Sequence, residues 1–166
     1  MVIRHKYLYT WIFKKCEIFN INPESVKFYS QQDEDKYIIQ YLLKDKITDG
    51  TYLEIGACDG LIYSNTKTLE DFFEFKGILI EPQKNLFNNI KKNRSTVNNE
   101  LYNCAVTDND SSTISFIGDN PEAGVLNHIN TDLTRFNWSS YNVSNKKMKD
   151  ILHNSNFNYI DFMIID

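Results

Sequence analysis

Basic residues are in short supply in this chain: 18 Lys and Arg stand against 22 Asp and Glu, for a net charge of −4 and a pI near 5.4. With no basic stripe either, binding driven by a nucleic-acid backbone is disfavoured. Cysteine occurs only as Cys16, Cys58 and Cys104. These are too few and too scattered for a disulfide framework or a zinc site, and they suit a reducing compartment. No other residues cluster like a metal-ligand set. Long apolar runs are also missing. The amino-terminal run Tyr7 to Phe13, between Arg4-His5-Lys6 and Lys14-Lys15, is too short for a membrane span and has no small-residue cleavage site. It reads as a packing helix, with an interfacial amphipathic anchor through residues 1–15 as the alternative. The expected location is cytoplasmic, and the host cytoplasm if the gene is viral. Little Ala, Pro or Gly beside abundant Asn, Ile, Lys and Tyr is the mark of an AT-rich genome, such as that of a large DNA virus or a protist. In so asparagine-rich a chain, triplets such as Asn137-Trp138-Ser139 and Asn142-Val143-Ser144 arise by chance.

What is present suits one globular domain: 166 residues, 42% hydrophobic and 14% aromatic. Ile38, Ile39, Tyr41, Leu42 and Leu43 give a helical face before Thr48-Asp49-Gly50, and Thr51 to Ile55 reads as a strand. Leu69, Phe72, Phe73 and Phe75 mark a helix that Ser64 or Asn65 would cap. Lys76 to Ile80 is a second strand, Leu86, Phe87 and Ile90 line another helix, and Leu101 to Val106 is a third strand. Thr113 to Ile117 alternates like a short extra strand. Gly118 to Tyr141 reads as a loop over the acceptor side. Met148, Ile151 and Leu152 mark a helix, and Tyr159 to Ile165 a fourth strand. Strands alternating with helices predict an α/β fold with a parallel sheet.

The chemistry concentrates in Tyr52-Leu53-Glu54-Ile55-Gly56-Ala57-Cys58-Asp59-Gly60 and in Gly77-Ile78-Leu79-Ile80-Glu81-Pro82. Gly56 and Gly60 let the turn after the first strand tighten and approach a ligand, while Glu81 at the next strand end can accept both hydroxyls of a ribose. A dinucleotide fingerprint would need glycines where Cys58 and Leu61 stand, which disfavours a nucleotide-dependent oxidoreductase. A nucleoside without pyrophosphate, such as S-adenosylmethionine, fits better.

Six blocks together resemble the FkbM-type S-adenosylmethionine-dependent methyltransferases. They are Ser30-Gln31-Gln32-Asp33-Glu34-Asp35, the Glu54 to Gly60 loop, Ser64-Asn65-Thr66 leading to Leu69-Glu70, Lys76 to Pro82, Asn103-Cys104-Ala105-Val106, and Ile160 to Asp166. The resemblance runs from about residue 29 to the last, leaving residues 1–28 as an amino-terminal helical extension. It implies a Rossmann-like class I methyltransferase sheet, cut after the fourth strand, since the family continues past the aspartate with Val-Glu-Gly and further elements. Self-association, or pairing with a missing carboxyl-terminal half, is then expected.

The resemblance also implies roles. Glu54, Gly56 and Asp59, with Ala57 and Gly60 in the same loop, would hold the methionine end of S-adenosyl-L-methionine. Glu81 would hold the ribose, Cys104 and Ala105 would flank the adenine, and Asp166 would sit by the methyl group as the catalytic base. Ser64 and Asn65 would reach the cofactor carboxylate. The implied reaction is O-methyl transfer to a small-molecule or sugar hydroxyl, with a polyketide-like molecule or protein side chain also open as acceptor. The alternative is a non-catalytic remnant or assembly module that keeps the cofactor-binding half of the fold. Plainer roles compete: Glu54 in an apolar strand needs a buried partner, Asp59 suits the turn itself, Cys58 and Cys104 suit small space-fillers, and His128 suits a solvated loop. The block Gln31 to Asp35 is either a solvated helix start or part of the site.

Overall fold

Thr51–Ile55 (β1) and Lys76–Ile80 (β2) are buried on successive residues because both faces of their sheet are covered. A computed structural model describes residues 14, 16–18, 20–43, 50–118, 123–125 and 139–166. The packing helix expected at 7–13, His128 and most of the loop expected at 118–141 lie outside them.

The chain enters through Glu34–Tyr37 (α1), which continues as a π-helical turn over Ile38–Leu42, then β1. Next come Lys67–Phe73 (α2), β2, Lys84–Asn93 (α3), Asn99–Tyr102 (β3) and Ala105–Val106 (β4). Thr113–Ile117 (β5), Gly124–Val125 (β6), Ser140–Lys146 (β7), Met148–Asn154 (α4) and Phe162–Ile165 (β8) follow. The result is a mixed α/β fold whose first sheet is parallel and four-stranded in the order β3-β2-β1-β8, compatible with a Rossmann-like arrangement. The chain moves outward from β1 to β3 and then returns to the other side of β1. That reversal opens a crevice at the strand ends between β1 and β8.

Strand periodicity sorts the core. Tyr52 and Leu79 face Leu69, Phe73, Phe75, Phe87, Ile90 and the Ile38-Ile39 turn, whereas Leu53, Ile78 and Ile80 face Cys104 and Ile151 of α4. Each fully buried Leu, Ile or Phe contributes roughly 1.5–3 kcal/mol. At Gly77 a Cβ would lie 2.1 Å from the Tyr52 carbonyl oxygen and 2.5 Å from its ring, so Tyr52 occupies the space a side chain there would need.

Several boundaries differ from the sequence reading. The third strand, expected over 101–106, breaks after Tyr102. Asn103 Nδ2 donates to the carbonyls of Glu81 (2.8 Å) and Pro82 (3.0 Å), turning the chain so that β4 joins a different sheet. That second sheet runs β4-β7-β5-β6 and is mixed, with β4 parallel to β7 and the β5 pairings antiparallel. β5 matches the strand expected at 113–117. β7 was not expected, because only Val143 and Asn145 of it are buried and one of those is polar. Asn145 is satisfied there: Nδ2 donates to the carbonyls of Asn109 (3.1 Å) and Ser111 (2.9 Å), and Oδ1 accepts from Thr107 (2.9 Å). The fourth strand, expected from 159, begins only at Phe162. Before it Asp161 Oδ2 accepts from the Thr51 amide at 2.7 Å, and the Tyr159 carbonyl from the Thr51 hydroxyl at 2.9 Å. Among the described residues no helix is long and apolar enough to cross a membrane.

Candidate ligand cavity at the strand ends

The turn after β1 is built from its own backbone. The amides of Gly56 and Ala57 both donate to the Ile80 carbonyl at 3.0 Å, tying the turn to the end of β2. Gly56 has φ +81°, and a Cβ there would sit 3.0 Å from the Asp166 carbonyl oxygen. Asp166 itself follows β8, its amide donating to the Ile55 carbonyl at 3.1 Å. Cys58 also has a left-handed backbone, φ 52°, which points its amide at Glu81 Oε2, 3.0 Å away.

Around this turn lies a cavity of about 650 Å³, within the range of small-molecule sites. β1 and its turn supply Glu54 to Cys58, β2 and its continuation supply Glu81 to Gln83, and Asp166 closes the β8 side. Ile62, Tyr63 and Ser64 come from the segment before α2, Leu86 from α3, and Cys104 to Val106 from the β3–β4 break. The second sheet contributes Phe116 and Ala123 to Val125, and Gln31 also lines the cavity.

Of the residues singled out by sequence, Glu54, Gly56, Ala57, Ser64, Glu81, Cys104, Ala105 and Asp166 therefore share one cavity. Asp59, Gly60 and Asn65 are not in its lining. Asp59 serves the turn, its Oδ1 accepting from the amides of Leu61 (2.9 Å) and Ile62 (2.8 Å). The Gly60 carbonyl meets Arg94 Nη1 at 3.3 Å. The Asn65 amide donates to Glu54 Oε1 at 3.0 Å, while its side-chain Oδ1 is buried with no partner among the described residues. As for the cap expected of Ser64 or Asn65, α2 starts after Thr66, and Ser64 Oγ accepts from the amides of Thr66 (3.3 Å) and Lys67 (3.2 Å).

The two buried carboxylates of the cavity lining differ in their surroundings. Glu81 is 3% exposed and accepts one backbone amide on each oxygen, Cys58 on Oε2 and Gln83 on Oε1 (2.8 Å). Burial outweighs those bonds and pushes its pKa up to about 7. A carboxylate has about four acceptor positions, so Glu81 keeps capacity for a ligand. Glu54 is more fully engaged. It accepts from Thr66 Oγ1 (2.6 Å), the Asn65 amide and Ser64 Oγ (3.4 Å to each oxygen), with Arg94 Nη1 at 3.7 Å. Burial raises the Glu54 carboxyl, against the pull of that guanidinium and those donors.

Arg94, which sequence reasoning missed, sits 4% exposed at the end of α3. Its Nε donates to Glu70 (2.5 Å), Nη1 to Ser64 Oγ (3.1 Å) and the Gly60 carbonyl, and Nη2 to Tyr52 Oη (2.6 Å) and Thr66 Oγ1 (2.8 Å). Glu70 is desolvated by burial, yet the guanidinium holds its carboxyl below the usual range. An arginine after an amphipathic helix ordinarily reads as a solvated helix end, so no sequence signal marked it.

A third buried carboxylate, outside the cavity lining, is Asp35, fully buried. It accepts from the amides of Tyr29 (2.8 Å), Ser30 (3.3 Å) and Lys36 (2.8 Å) and from the hydroxyls of Ser30 (2.7 Å) and Thr68 (2.7 Å). Through Asp35, then, the block 31–35 is structural, and through Gln31 it also contributes to the cavity. Glu54, Glu81 and Asp166 make the lining acidic, and no Lys, Arg or His joins it among the described residues. No group of His, Cys, Asp or Glu among the described residues is arranged to hold a metal ion. Comparison of the chain with family models, curated proteins and solved structures finds no match in any of the three.

Proposed function

We propose that the cavity binds S-adenosylmethionine and that the chain is a methyltransferase domain of FkbM type, transferring the methyl group to a hydroxyl. The observation that carries this reading is Glu81: a buried carboxylate at the carboxyl end of the second parallel strand, fixed by two backbone amides and still able to accept from a ribose diol. The lining fits the group. An acidic cavity without lysine, arginine or histidine among its described residues suits a sulfonium cation and disfavours a pyrophosphate. Gly56, Cys104 and Ala105 are small lining residues, which suits the approach of a flat base.

The bound cofactor supplies a methyl group on sulfur with its leaving group already installed. The work left to the chain is positioning and one proton. Glu81 orients the nucleoside, the Gly56 to Cys58 backbone sets the floor, and Asp166, beside Gly56, takes the proton from the acceptor hydroxyl.

Calorimetric titration with S-adenosylmethionine and S-adenosylhomocysteine tests the reading. Micromolar binding of both is expected, and failure to bind either at millimolar concentration would overturn it. A second reading is a module that keeps the pocket without turnover: among the described residues β8 has β1 as its strand neighbour and leaves Met163 and Ile165 exposed, a surface suited to docking on a partner. Binding without transfer of a radiolabelled methyl group to any of a hydroxyl-bearing acceptor panel would select it.

A further inference from the structure

Gln31 combines a fixed backbone with an idle side chain. Asp35 ties down the segment around it with the Tyr29 and Ser30 amides and the Ser30 hydroxyl, and Ser30 forms a parallel bridge with Tyr63. Burying a carboxylate completely is costly unless every acceptor position is used. Here that cost is met in order to hold an otherwise exposed stretch of chain. The Gln31 carboxamide, by contrast, makes no hydrogen bond among the described residues, although it lines the cavity. Gln31 is exposed and lines the cavity from an anchored backbone, so its carboxamide can meet a ligand at no cost to the fold.

Its position along the sheet says which part of the ligand. Glu81 lies at the end of β2, and Cys104 beside the exit of β3. Gln31 follows Ser30, which bridges to Tyr63, and the neighbouring Ser64 meets Glu54, so Gln31 belongs to the β1 side of the cavity. A nucleoside held at Glu81 must run its remaining arm over β1 toward that side. A carboxamide both donates and accepts, so it can pair with an ammonium, a carboxylate or both.

We propose, resting on the methyltransferase reading, that Gln31 hydrogen-bonds the amino-acid end of the bound sulfonium nucleoside and that Asp35 positions it to do so. The experiment compares S-adenosylhomocysteine with 5′-methylthioadenosine, which keeps the nucleoside and thioether but lacks the amino-acid end. In Gln31→Ala the dissociation constant for S-adenosylhomocysteine should rise about tenfold and that for methylthioadenosine should stay within about twofold, as for loss of one bond to a charged group. The melting temperature should not move, because the side chain holds nothing in the fold. Glu81→Gln should weaken both ligands. Asp35→Asn should lower the melting temperature and shift the ratio of the two affinities in the same direction as Gln31→Ala, which loss of stability alone would not do. An unchanged ratio in Gln31→Ala, or equal weakening of both ligands, would overturn the assignment while leaving the methyltransferase reading intact. A wild-type chain that binds neither nucleoside would overturn both.

Discussion

Arg94 Nη1 donates to the carbonyl of Gly60 at 3.3 Å, so the guanidinium at the end of α3 pins the far side of the turn that floors the cavity. The same side chain joins Glu54, Glu70, Ser64, Thr66 and Tyr52 in one buried network. Removing it strands two buried carboxylates and a buried phenol. Arg94→Met should therefore destabilise the chain by about 3–5 kcal/mol, the cost of breaking a buried ion pair from one side. Arg94→Lys should recover only a small part, since an ammonium cannot reach around the same fork of partners. Urea unfolding of the three proteins measures this, and a loss within the error of extrapolation in Arg94→Met would refute it.

Glu81 should leave a signature in stability against pH. Its folded pKa is raised from 4.5 to about 7 by burial. The folded state then holds a proton that the unfolded state has released, so this contribution is present below about pH 4.5 and is lost as pH rises toward 7. Across that window the wild type should lose on the order of 2 kcal/mol relative to Glu81→Gln, whose amide does not titrate. Denaturation midpoints of both proteins between pH 5 and about 8 test it, and parallel curves would show that Glu81 titrates normally. Glu81→Ala should abolish nucleoside binding while the far-ultraviolet spectrum stays that of the wild type.

Much of this was legible because a parallel strand covered on both faces writes itself as a continuous apolar run. Thr51 to Ile55 and Lys76 to Ile80 could be read directly, and the Glu81 position followed from the end of the second run. Partners across the fold could not be read. Arg94 and Asp35 look like surface charges in sequence, and only the packing of α3 and of the segment before α1 buries them. β7 was hidden for a related reason, since Asn145 stands where an apolar residue would have revealed the alternation. Leu101 to Val106 reads as one strand because its apolar residues continue across the break that Asn103 makes with the carbonyls of Glu81 and Pro82. Local pattern reports burial, and it does not report which buried groups meet.

The turn itself offers a narrow test. Gly56 has φ +81°, and an added Cβ would press on the Asp166 carbonyl oxygen at 3.0 Å. Gly56→Ala should cost about 1–2 kcal/mol from the left-handed backbone and should displace the end of β8. Nucleoside affinity should fall as well, since Gly56 and Asp166 both line the cavity. Thermal melts and calorimetry on one preparation separate the two effects, and wild-type values in both would contradict the conformational argument.

The remaining edge of the first sheet carries the last prediction. Among the described residues β8 pairs with β1 on one side only, and along it Met163 is 44% exposed and Ile165 73% exposed. Parallel sheets normally bury such side chains, and an open apolar edge is a template for another strand. The chain should therefore self-associate in a concentration-dependent way. Ile165→Lys places a charge on the edge without touching the buried side chains of β1, and it should shift the equilibrium toward monomer with little change in melting temperature at low concentration. Sedimentation velocity across a dilution series decides it. A wild-type chain that stays monomeric at the highest concentration, or a variant that associates as strongly as the wild type, would show that this edge is not where the molecules meet.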